Sequence, residues 1–103
     1  MRKKMFNQDM LHKLEGLKQE AEESKLRLEA MEISEEAGGG LVRITLNGNR
    51  KVKSLEINAD LKSLDKSDLE DLIVVALERA LDRANAVNES EVMSSARALF
   101  PGF

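Results

Sequence analysis

The chain has no cysteine, tryptophan or tyrosine, and only three phenylalanines and one proline among its 103 residues. Without cysteine there is no disulfide, no thiolate metal ligand and no thiol nucleophile, so a reducing cytoplasmic setting is expected. With aromatics at 3%, any core has to be assembled from Leu, Ile, Val, Ala and Met, and bases cannot be stacked on aromatic faces in the manner of single-strand binders. No apolar run approaches the length needed to cross a bilayer. Arg2, Lys3 and Lys4 could open a secretory leader, but Asn7, Gln8, Asp9 and His12 stand where its apolar stretch should lie. No membrane partner is therefore expected.

Catalytic chemistry is equally short of residues. His12 is the single histidine, it sits beside Lys13 in a charged stretch, and it has no visible nucleophile to serve, so it reads as solvated surface. Metal ligation needs several converging donors, and with one His and no Cys only carboxylates remain. The expectation is a protein that is not an enzyme, with no catalytic residue, metal, cofactor or small-molecule substrate.

Charge is present in both signs and unevenly placed. The formal net charge of −3 counts by itself against a nucleic-acid partner, because neutralising phosphates requires clustered Lys and Arg. Residues 38–58, however, hold Arg43, Arg50, Lys51 and Lys53 against Glu56 alone, whereas residues 59–103 hold five basic and nine acidic side chains. The middle of the chain is basic and its C-terminal part acidic.

Length fits one small domain spanning 1–103, with 1–9 expected to be a disordered start and 96–103 a tail. From Met10 a seam of Leu14, Leu17, Ala21, Ser24, Leu28 and Met31 recurs at alternating spacings of four and three, the pattern of a long amphipathic helix with a narrow stripe. Beyond Met31, helix and strand patterns overlap, and the Gly38-Gly39-Gly40 run then breaks any element. That run lacks the Lys and Ser/Thr of a nucleotide loop and reads as a turn.

Val42, Ile44 and Leu46 alternate with Arg43, Thr45 and Asn47, which predicts a half-buried strand. A two-residue turn at Asn47-Gly48 would drive Lys51 and Lys53 into the apolar face. A four-residue loop, Gly48 to Lys51, pairs Ile44 with Leu55, Val42 with Ile57, Thr45 with Ser54 and Arg43 with Glu56, leaving only Leu46 awkwardly against Lys53. The last helix is expected to start near Asp65 to Ser67, capped by Asp65 or by a Ser67–Glu70 box, with a stripe of Leu69, Ile73, Ala76, Ala80, Ala84 and Val87. Pro101 and Gly102 end it.

The stretch from Ser34 through Gly38-Gly39-Gly40-Leu41-Val42-Arg43-Ile44-Thr45-Leu46-Asn47-Gly48, followed by Val52-Lys53-Ser54-Leu55-Glu56-Ile57-Asn58, closely resembles the central segment of the YbaB/EbfC family of bacterial nucleoid-associated proteins. Leu69-Glu70-Asp71-Leu72-Ile73 and the closing Phe100-Pro101-Gly102-Phe103 are similar to it as well. The resemblance implies an α+β fold of helix, three-stranded antiparallel sheet and helix, with the first strand drawn from Ala30 to Glu36. It also implies a homodimer with tweezer-like helical arms, a nucleoid location, and duplex DNA binding of low sequence preference. Two positions depart from the family pattern: Ala59 where proline is usual, and Glu35 where glycine is common.

On this basis the candidate DNA contacts are Lys13, Lys18, Lys25 and Arg27 on the first helix, Arg50, Lys51 and Lys53 at the hairpin, and Arg79 and Arg83 on the last helix. Leu14, Leu17, Leu28, Ala76 and Ala80 are the candidate dimer contacts. The hairpin cluster has a second reading, as solvated charges that discourage edge pairing. The whole chain has one too, as an interaction module that binds protein partners through its helical arms.

Overall fold

The computed structural model describes residues 8–100, and the elements run α1 (Gln8–Ala30), β1 (Ile33–Ala37), β2 (Val42–Leu46), β3 (Val52–Ile57) and α2 (Lys66–Leu99). The strands form one antiparallel sheet in the order β1-β2-β3, so the α+β architecture is the expected one. Gln8 and Asp9 already belong to α1, and α2 continues through Leu99, so residues 96–99 of the expected tail are helical. Phe100 caps α2, and the remaining residues of the expected disordered start and tail, 1–7 and 101–103, lie outside the described residues.

The stretch after Met31 resolves as strand because tertiary packing decides where local propensity does not. Ile33 and Ala37 are buried and pair with Leu46 and Val42, and the glycines then turn the chain at positive φ (67°, 67° and 97°), a region that costs a residue with Cβ but not glycine. In β2 and β3 the register is Val42–Ile57, Arg43–Glu56, Ile44–Leu55 and Thr45–Ser54, as the alternation requires. The awkward Leu46–Lys53 pair does not form, because a register shift after Thr45 brings Val52 opposite Leu46 and leaves Lys53 as an extra residue on the bulged strand. Thr45, placed by its alternation on the wet face, is buried at 9% exposure and shares a 2.7 Å hydrogen bond with the Ser34 hydroxyl.

The core lies between the sheet and the first half of α2. Ala76, Ala80 and Ala84 are fully buried beneath β1 and β2, with Leu69, Leu72, Ile73 and Val87 packed around them. Alanine at every contact turn lets the helix backbone approach the sheet closely, and the buried Val42 and Leu46 side chains contribute roughly 1.5–3 kcal/mol each. Asp65 holds the N-cap position in extended conformation but makes no side-chain cap bond. Ser67 lies inside the helix, so its capping box does not form.

The second half of α2 leaves the sheet and runs alongside α1 as a two-helix arm, which is why the radius of gyration is 20.7 Å against about 13 Å for a compact chain of 100 residues. A polar network joins the two helices. Arg27 donates through Nε to Glu91 and through Nη2 to Glu20, both at 2.7 Å. Ser24 donates to Glu91 at 3.1 Å and Ser95 to Glu20 at 2.9 Å. Arg27 and Ser95 hold the Glu20 carboxyl below the usual glutamate range, because both partners favour its ionised form.

Candidate nucleic-acid interface

The hairpin between β2 and β3 closes through Asn47 N–H to the Lys51 carbonyl (2.9 Å) and Arg50 N–H to the Asn47 carbonyl (3.0 Å). The loop is therefore three residues, Gly48 to Arg50, rather than the expected four. The third of them, Arg50, has φ 67°. That is a type I turn followed by a left-handed residue, an arrangement in which the last position usually carries glycine.

This tip is wedged at the base of the arm between both helices. Gly48 N–H donates to the Leu28 carbonyl at 2.8 Å, and the Asn88 side chain donates to the Gly48 carbonyl at 3.1 Å. A Cβ on Gly48 would come within 2.7 Å of the Leu28 side chain and 3.0 Å of its carbonyl oxygen, so only glycine fits. Asn47, itself buried, accepts from the main-chain N–H groups of Asn49 (2.8 Å) and Lys51 (3.1 Å). Asn49 reaches across to the Lys25 carbonyl on α1. Lys25, Arg50 and Lys51 thus emerge around one exposed junction of sheet and arm.

The candidate cations divide by what they touch. Arg27 is held by Glu20 and Glu91, Arg83 by Glu35 at 2.7 Å, and Lys53 by Glu32 at 3.5 Å. Arg79 donates to the Glu36 carbonyl and Arg83 also to the Ser34 carbonyl. Among the described residues, Lys13, Lys18, Lys25, Arg50 and Lys51 have no carboxylate partner. Arg50 has only the neutral side-chain oxygen of Asn85, at 3.4 Å. The structure brings Lys25 to the hairpin, which spacing along the chain could not show. Lys13 and Lys18 lie farther out on the arm.

Of the candidate dimer contacts, Leu28, Ala76 and Ala80 are buried within the single chain, whereas Leu14 and Leu17 are exposed on α1. An apolar surface that sequence reasoning missed lies on β3. Val52, Leu55 and Ile57 are 62%, 47% and 38% exposed. Leu55 and Ile57 stand opposite Ile44 and Val42, yet α2 covers only β1 and β2. The signal was available: three strands with an apolar face need more cover than one alanine-lined helix supplies.

Among the described residues no group of three or more His, Asp or Glu side chains could hold a metal ion, and no helix is long and apolar enough to cross a membrane. A helix–sheet–helix unit with a protruding two-helix arm and a basic hairpin junction defines a class of small fold in which phosphate contact is chemically available. The model of the YbaB/EbfC DNA-binding family matches residues 3–99, and the chain belongs to that family. It is 41% identical over 92 residues to a nucleoid-associated protein of Flavobacterium johnsoniae, covering 89% of this chain and 86% of that one. A nucleoid-associated protein of Hahella chejuensis is 30% identical over 97 residues, covering 92% and 90%. The crystal structure of an uncharacterized protein from Helicobacter pylori shares the fold with a TM-score of 0.70 at 24% identity, covering 91% of this chain and 98% of that one.

Proposed function

We propose that this protein is a nucleoid-associated homodimer that binds duplex DNA through its phosphates with little sequence preference. The observation that carries the reading is the junction of Lys25, Arg50 and Lys51, cations without carboxylate partners on a chain whose net charge is −3. Family membership and the names of the relatives support it. Low sequence preference is what such chemistry supports: lysines and an arginine on a short loop and a helix flank neutralise backbone charge, which carries little sequence information.

The homodimer rests on the open apolar face of β3, with Leu14 and Leu17 on the arm as secondary contacts. A second copy has the same face to bury, and a self-complementary patch is what a two-fold dimer requires. Such a dimer doubles the basic junction.

A titration of duplex DNA at several salt concentrations tests the reading. Affinity should fall with a log–log slope of roughly −0.9 per phosphate neutralised, so about four contacts give a slope near −3.6. A slope near zero, or no binding at low salt, rejects it. The second reading would then stand, a module that binds protein through its arm. It is favoured by the exposed Leu11, Leu14, Leu26, Val92 and Met93 and by the apolar groove that Gly16, Leu17, Leu99 and Phe100 line near the arm's end.

A further inference from the structure

We infer that Arg50 is the anchoring phosphate contact of this interface, one per copy, and that the fold gives up stability to hold it there. The inference rests on the duplex-DNA reading and goes beyond it by assigning one residue an effect of opposite sign on fold and on binding.

Arg50 occupies a position where a side chain is a liability. At φ 67° its Cβ crowds the backbone, a conformation that glycine and asparagine accept and arginine rarely adopts. It stays there because the surrounding structure over-determines the turn. Asn47 ties the loop on both sides, Leu28 and Asn88 grip Gly48, and Asn49 is bonded to α1. Among the described residues its guanidinium meets no carboxylate, only Asn85 at the long distance of 3.4 Å. The other described arginines near the sheet are employed structurally, Arg43 by Glu36 and Glu56, Arg79 and Arg83 by β1. A strained residue whose side chain has only this one long neutral contact among the described residues points to a ligand.

The ligand class follows from the side chain and its neighbours. A guanidinium presents a planar fork of N–H donors that matches a phosphodiester, and it keeps its charge at every physiological pH. Lys51 follows in the chain, and the Lys25 main chain is joined to the same loop through Asn49, so two further cations belong to the neighbourhood of the loop. Because the backbone beneath Arg50 is already fixed, binding orders only the side chain, which lowers the entropic cost of contact.

The test compares Arg50→Asn with Arg43→Asn, which removes the same charge from an arginine already paired with carboxylates. Each protein is melted thermally and titrated with duplexes of unrelated sequence across a salt series. Arg50→Asn should melt a few degrees above the parent, and an unchanged or lower melting temperature would overturn the claim that the fold gives up stability there. It should lose roughly eightfold in affinity per contact at 0.1 M salt and flatten the log–log slope by about 0.9 per contact, or about 1.8 if both copies reach one duplex. The loss should be equal for every duplex, and Arg43→Asn should keep the parent's slope. Arg50→Lys should restore the slope without the gain in melting temperature. An Arg50→Asn protein with the parent's slope overturns the assignment while leaving the DNA reading intact, and so does an equal loss in Arg43→Asn. A parent that binds no duplex at low salt overturns the DNA reading and the assignment together.

Discussion

The two edges of the sheet are treated in opposite ways. Along β1 the outward carbonyls of Ser34 and Glu36 accept from Arg83 and Arg79 on α2, and Glu35 turns inward to pair with Arg83. Along β3 no helix crosses, and Val52, Leu55 and Ile57 stay open. An unpaired strand edge invites another strand, so proteins block the edges they do not use. The same helix that could have covered both sides seals β1 and leaves the β3 side uncovered, which is the side the proposed dimer would bury.

The largest effect that tests this contrast comes from a facing pair on one side of the sheet, Ile44 and Leu55. Ile44→Lys buries an unpaired ammonium beneath α2 and should cost about 3 kcal/mol or more in urea melts. Leu55→Lys should cost the isolated chain under about 1 kcal/mol, yet reduce the mass seen by light scattering to that of a monomer. A Leu55→Lys protein that keeps a dimer mass would place the interface elsewhere.

The sealed edge can be opened as well. Replacing Arg79 and Arg83 together by Met strips the β1 carbonyls of their donors and leaves Glu35 without its partner. A loss of about 1–3 kcal/mol is expected, together with species larger than the dimer on a sizing column. A double variant that stays at the parent's mass would mean that the arginines do not guard the edge.

The smallest effect belongs to the arm and should leave both edges untouched. Glu20, held below the ordinary glutamate range by Arg27 and Ser95, contributes stability that is present above its unfolded-state pKa and is lost as pH falls through its lowered folded value. Acidification into that window should lower amide protection, measured against the intrinsic exchange rate at each pH, in residues 17–28 before residues 42–46. Glu20→Gln should show the lowered protection of 17–28 already at neutral pH. Protection in the two regions falling together on acidification would argue that arm and sheet loosen as one unit.

What could be read in the sequence was whatever depends on period alone. The β2–β3 register follows from Val42, Ile44 and Leu46 alternating with polar residues, and the alanine stripe of α2 from its spacing of about four. What could not be read depends on partners far along the chain. Glu35 belongs to a strand because Arg83, forty-eight residues on, neutralises it beneath the sheet. Arg27 looked as free as Lys25 because Glu91 is sixty-four residues away. Arg50 hid a glycine's position behind an arginine, so the bulge rule gave no warning of the shorter loop. Burial of Thr45 depends on Ser34 in a segment whose strand character local pattern left open.

Gly48 has a mechanical consequence. With its carbonyl and N–H gripped from two helices and no space for a single added carbon, the hairpin fills the joint between arm and sheet like a key in a shaft. A two-helix lever fixed in this way does not swing at its root, so a load applied to its far end passes into the sheet. The angle between arm and sheet is then set when the chain folds.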